Sequence, residues 1–147
     1  MFSWLFSDPL PVGQPAPDFT LLDQDGSPVS LRALRGANVV LVFYPADETS
    51  LCTVQLCEFR DHWALAQSKD ALVFGVNPAG PEKHARFRVH HGFPFALLAD
   101  PGQRVGAVYR TKGFIVKRTV YLIAKSGVIR YAKRGKPEPE EVLAASE

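Results

Sequence analysis

The sequence predicts an α/β fold: a mixed central sheet with helices on both faces. Two runs, residues 39–43 (Val-Val-Leu-Val-Phe) and 71–76 (Ala-Leu-Val-Phe-Gly-Val), are continuously apolar and rich in β-branched residues, as in strands covered on both sides. A stretch with helical spacing follows the first, over residues 50–67, and a basic helix, residues 81–91, follows the second. Near the end, residues 117–124 and 128–133 flank Lys125-Ser126-Gly127 and read as a hairpin. The resulting order, β–β–α–β–α–β–α–β–β–α, belongs to a mixed sheet rather than a bundle or a sandwich.

The elements follow in order. Pro9, Pro11, Pro15 and Pro17 make residues 7–17 an extended lead-in. Residues 19–22 and 28–31 read as short strands around an Asp-Gly turn, and a short turn or helix closes at Gly36. Pro45 ends the first buried strand, and Thr49 or Ser50 can cap the helix that follows. Asn77-Pro78 stops the second buried strand; Pro81 opens a basic helix and Gly92 lies past its end. Residues 95–98 form a short strand, 102–109 a short helix and 137–146 a terminal acidic helix.

At 147 residues and 46% hydrophobic content, the chain fits one domain over residues 1–147, with 1–17 as an extended N-terminal arm. A formal charge of +2 speaks against a nucleic-acid or membrane surface, and no segment is long enough to span a bilayer. Phe2-Ser-Trp-Leu-Phe6 lacks the regions of a signal peptide and reads as an arm that packs on the domain or on a neighbour. A cytoplasmic location with reduced thiols is the expectation.

The two cysteines, Cys52 and Cys57, both fall on the helix after the first buried strand. A thiol in a helix's first turn meets the positive end of the macrodipole and unpaired amides, which favour thiolate. Cys52 is therefore the expected nucleophile. Residues five apart on a regular helix have Cα atoms roughly 8–9 Å apart, beyond the ~4.4–6.8 Å of a disulfide. Pairing the two sulfurs requires local unwinding. Other readings stay open on the residues alone. Two such cysteines can be small core hydrophobes. Metal binding lacks a pair at zinc-ligand spacing among the cysteines and His62, His84, His90 and His91. A thioredoxin-type dithiol would carry Cys-x-x-Cys, whereas the spacing here is Cys-x-x-x-x-Cys.

Pro45-Ala-Asp-Glu-Thr49-Ser-Leu-Cys52 resembles the Pro-x-x-x-Thr-x-x-Cys signature of peroxiredoxins. The continuation to Cys57-Glu-Phe-Arg-Asp61 is similar to the Q type, also called bacterioferritin-comigratory proteins. The resemblance runs from Val12-Gly-Gln-Pro-Ala-Pro-Asp-Phe19 to Glu140-Glu-Val-Leu143. It implies a thioredoxin-like fold and reduction of hydrogen peroxide and organic hydroperoxides without metal or organic cofactor. In that pattern Cys52 attacks the peroxide, Thr49 bonds the thiolate or the peroxide, and Pro45 shapes and shields the turn. Arg118 matches a supporting arginine, with Lys117 and Arg110 as competitors. Cys57 resolves the sulfenic acid as an intramolecular disulfide, and thioredoxin or a similar dithiol reduces it. A monomer is the expectation; the apolar arm could support a dimer. His84 matches a family histidine but is assigned to a basic helix face, and Asn77-Pro-Ala-Gly-Pro81 departs from the family's stretch after the strand. The rival readings are a thiol–disulfide oxidoreductase or redox sensor without fast peroxidase activity, and a binding or holdase module with the cysteines as filler.

Overall fold

The computed structural model describes residues 8–147. The expected arm at Phe2–Phe6 lies outside them. Seven strands form one sheet: β1 (Thr20–Leu22), β2 (Pro28–Ser30), β3 (Asn38–Phe43), β4 (Ala71–Asn77), β5 (Ala96–Ala99), β6 (Thr119–Ile123) and β7 (Ile129–Arg134). Their order across the sheet is β2-β1-β5-β4-β3-β6-β7. The helices are α1 (Ser50–Asp61), α2 (Trp63–Ser68), α3 (Pro81–His91), α4 (Arg104–Val108) and α5 (Pro139–Leu143), with 3-10 turns at Leu31–Leu34 and Pro101–Gln103.

β3 runs between β4, parallel to it, and β6, antiparallel to it, and all six of its residues are buried. Alternate side chains serve opposite faces. Val40 and Val42 pack with Leu56 and Phe59 of α1, Ala66 of α2, Phe87 of α3 and Val142 of α5. Val39, Leu41 and Phe43 pack with Leu10, Phe19, Leu31 and Tyr109 on the other side. The lead-in is held along the hairpin: Gly13 N donates to the Ile129 carbonyl at 2.8 Å, and Leu10 N to the Tyr121 hydroxyl at 3.0 Å.

Two expectations on helix length change. The stretch expected as one helix over 50–67 breaks at His62, whose backbone (φ −106°, ψ 22°) leaves the helical region. There the imidazole Nδ1–H donates to the Glu58 carbonyl at 2.7 Å, the same oxygen that the His62 amide uses at 3.1 Å. The last helix is confined to Pro139–Leu143, because Pro137 and Pro139 hold the chain extended until the helix can start.

The register places the site. Phe43, the last residue of β3, lies opposite Thr119, the first of β6. The turn leaving β3 and the segment entering β6 therefore meet at one end of the sheet, beside the start of α1.

Candidate active site

Pro45 follows Tyr44 directly after β3 and is half-buried. The turn then dives inward at Asp47, comes out at Glu48 with φ 62°, and becomes extended at Thr49 (φ −91°, ψ 151°) to start α1. Cys52 is the third residue of that helix and only 1% exposed. The first intrahelical bond formed here is from Thr53 N to the Thr49 carbonyl at 2.9 Å. The amides of Ser50, Leu51 and Cys52 precede it and have no helical carbonyl to bond.

Arg118, one residue ahead of β6, reaches this sulfur. Its Nη2 donates to Cys52 Sγ at 3.2 Å and its Nη1 to Gln55 Oε1 at 2.6 Å. Gln55, buried one turn beyond Cys52, also donates from Nε2 to the Gly135 carbonyl at 3.4 Å. Gly135 N in turn donates to the Arg118 carbonyl at 2.8 Å. The arginine is thus fixed at both ends: its backbone by the hairpin, its guanidinium by a glutamine of the cysteine helix. A guanidinium held in place from both sides donates to a buried sulfur, the kind of donor that can stabilise negative charge developing there.

Thr49 occupies the N-cap position, but its hydroxyl donates back to the Ala46 carbonyl at 2.9 Å and does not cap the helix. That spends the hydroxyl proton and leaves the oxygen's lone pairs as acceptors. Cys57 is half-buried, packed against the core beside Leu56 and Phe59. Burial pushes its thiol up; Arg60 pulls part of that back and Asp61 adds to it. Both thiols are free and share one continuous helix.

Beneath the turn lies a polar network that the sequence reading did not find. Asp47 Oδ1 accepts from the Tyr44 hydroxyl at 2.6 Å and from Asn77 Nδ2 at 3.0 Å; Oδ2 accepts from His84 Nδ1–H at 2.7 Å. The other ring nitrogen of His84 donates to the Leu98 carbonyl at 3.0 Å. Burial alone would raise the Asp47 carboxyl, but the bonds from His84 and Tyr44 outweigh it and hold it below its ordinary range. The expectation that His84 belongs to a basic helix face is corrected: it points inward and is fully buried. Asn77, which opens the stretch that departs from the family's, anchors this loop, since its Oδ1 also accepts from Ala79 N at 2.8 Å. Gln55 carried one usable signal, its place three residues beyond Cys52 on the same helix face.

A family model described as AhpC/TSA matches residues 12–132. The chain belongs to the AhpC/TSA family. Within it, the relatives are of the peroxiredoxin Q type. The chain is 39% identical over 133 residues to a putative chloroplastic peroxiredoxin Q of Oryza sativa subsp. indica, covering 88% of this chain and 61% of that protein. With the chloroplastic peroxiredoxin Q of Sedum lineare it is 38% identical, covering 88% and 72%. Several of these curated relatives are therefore matched over only about three fifths of their length. The crystal structure of peroxidoxin BcpB from Mycobacterium tuberculosis superposes with a TM-score of 0.85 at 30% identity, covering 91% of this chain and 94% of that one. The peroxiredoxin fold expected from the sequence is the one observed. The plant relatives are named as chloroplastic, so the cytoplasmic expectation gains nothing from them. Among the described residues no helix is long and apolar enough to cross a membrane.

Proposed function

We propose that this AhpC/TSA-family chain reduces hydroperoxides by thiol chemistry at Cys52. The observation that carries the reading is the Arg118 guanidinium donating to the buried Cys52 sulfur at 3.2 Å, at the start of α1. In the first step the Cys52 thiolate attacks one peroxide oxygen. The S–O bond forms as the O–O bond breaks, giving a sulfenic acid, and the other oxygen leaves and takes up a proton as water or an alcohol. Negative charge moves from sulfur to the departing oxygen, and Arg118 is placed to follow it. Thr49 Oγ, its own proton given to Ala46, accepts the peroxide O–H and orients the substrate. Pro45 walls the turn on the side of β3.

In the second step Cys57 attacks the sulfenic sulfur, forming the Cys52–Cys57 disulfide and releasing water. A helix continuous from Ser50 to Asp61 keeps the sulfurs apart, so this step includes unwinding of part of α1. A dithiol protein of the thioredoxin kind then reduces the disulfide by exchange. Any compartment supplying such a reductant serves, including the cytoplasm. The near-complete burial of Cys52 disfavours the rival oxidoreductase reading, because the thiol of the folded helix is closed to a protein disulfide.

Stopped-flow mixing of reduced protein with hydrogen peroxide, followed by tryptophan fluorescence, tests this. Trp63 stands immediately beyond α1, against Phe95. Two phases are expected, the second absent in Cys57→Ser and both absent in Cys52→Ser. Thiols that resist peroxide but are oxidised readily by a protein disulfide would transfer the site to the oxidoreductase reading.

A further inference from the structure

On the outer face of the same turn, three side chains from two separate parts of the chain converge. Glu48 reaches across to the end of α3, where His90 Nδ1 lies 3.0 Å from both carboxylate oxygens and His91 Nε2 lies 3.0 Å from one of them. One donor atom from each residue falls within a single 4.8 Å group. By spacing alone the histidines held no metal pattern; folding brings two of them to a carboxylate 42 and 43 residues away. His90 and His91 lie with ring centroids 4.2 Å apart, and His91 is seated on Phe93 and Phe87. Glu48 is held out toward them by its left-handed backbone, φ 62°.

We propose that Glu48, His90 and His91 bind one divalent cation of the zinc(II) type. The donor set argues for the class. Two imidazoles and one carboxylate suit zinc and its neighbours rather than magnesium or calcium, which take mostly oxygen ligands. Donors around tetrahedral zinc, at about 2.0–2.1 Å from the metal, stand roughly 3.3 Å from one another. The 3.0 Å contacts here need only open slightly as the ion displaces the two shared protons. Water fills the fourth position. His91 is preorganised: its ring packs on aromatics and its carbonyl accepts from Arg60 Nη1 at 2.7 Å. Arg60 is itself paired with Asp61 at 3.0 Å, which tempers its positive charge beside this cluster.

Bound metal fastens the Pro45–Thr49 turn to α3. Since α1 starts from that turn, the ion opposes the unwinding that brings Cys57 to Cys52 and leaves the first attack on peroxide alone. This second consequence rests on the functional reading above; the binding site does not.

The test therefore has two arms. In the first, zinc(II) is titrated into the full chain carrying Cys52→Ser and Cys57→Ser, which removes competing thiols, using a chromophoric chelator as competitor. One ion per chain is expected. Loss even of an outer-shell partner weakens metal sites about 10–100-fold, so His90→Ala and Glu48→Gln should each weaken binding by more than about tenfold. His62→Ala, which removes the partner of Glu140 at 3.3 Å on another face, should leave it unchanged. His90 is 64% exposed, so its removal does not threaten folding. Absence of saturable binding, or binding indifferent to both substitutions, overturns the site. In the second arm, zinc(II) should slow the second fluorescence phase of the wild-type chain, and His90→Ala should abolish the slowing. Slowing that survives in His90→Ala would overturn the brake while leaving the site standing.

Discussion

Gln55 and Arg118 are bound side chain to side chain at 2.6 Å, 63 residues apart in the chain. The glutamine comes from the helix that carries Cys52, the arginine from the segment entering β6, and their bond aims the other terminal guanidinium nitrogen at the sulfur. An arginine at a strand entrance is ordinarily a solvated edge charge; here the register of β6 against β3 and this one amide turn it inward.

The first prediction follows from that bond. Removing a donor that faces developing charge costs about 10²–10³-fold in rate, and Arg118→Ala should slow the first stopped-flow phase by that much. Arg118→Lys should recover only part of it, since an ammonium cannot serve Gln55 and Cys52 as a planar fork does. A hydrogen bond to a charged group contributes about 1.5–3 kcal/mol, so Gln55→Ala should slow the same phase by roughly tenfold or more. Gln55 acts through Arg118. Its loss should therefore add little to an Arg118→Ala background, whereas a purely structural role would show undiminished effects in both.

The second prediction concerns Cys57. Its thiol is pushed above the usual range, chiefly by burial, so near neutrality only a small fraction is thiolate. Thiolate is the attacking form, and its fraction rises about tenfold per pH unit below the pKa. The second phase should accelerate with pH through neutrality and beyond until unwinding itself limits it. A pH-independent second phase from the outset would mean that opening of α1 governs the rate throughout.

Acid stability gives the third. The Asp47 carboxyl is ionised more easily folded than unfolded, because the bonds from His84, Tyr44 and Asn77 overcome the effect of burial. Its contribution is complete above the unfolded value of about 3.9 and is lost as pH falls through the lower folded value. Breaking a buried pair costs about 3–5 kcal/mol, so Asp47→Asn should lower stability by that order at pH 7. It should also flatten the decline below pH 4, as followed by urea denaturation across pH.

A fourth concerns packing behind the turn. A Cβ at Gly75 of β4 would stand 2.8 Å from Leu97 Cδ2 and 2.9 Å from the Tyr44 ring, both in the interior. Overpacking costs about 1–3 kcal/mol. Gly75→Ala should lower the melting temperature and, by displacing Tyr44 from Asp47, loosen the turn, visible as faster amide exchange at Glu48 and Thr49.

Local pattern made most of the fold legible. The buried strands announced themselves by unbroken β-branched runs, and Pro81 and Gly92 bracketed α3 within a residue. The break at His62 was not legible, because it depends on a side chain bonding its own helix. At the site, the turn and both cysteines were visible in one short stretch, and Arg118 through family resemblance. Asp47, His84 and Gln55 were not, because their meaning lies in partners 30–63 residues away: His84 on a basic-looking helix reads as surface until the helix is seen against the sheet.

In the proposed reaction one helix holds two thiols with different tasks and opens between them. Intact mass, measured on protein quenched with a thiol-blocking reagent within a second of adding one equivalent of hydrogen peroxide, tests it most directly. The wild-type chain should lose about 2 Da and both blockable thiols, and Cys57→Ser should gain about 16 Da at Cys52 as a sulfenic acid. Cys52→Ser should be unchanged. Oxidation that begins at Cys57, or wild-type thiols that stay blockable, would contradict it.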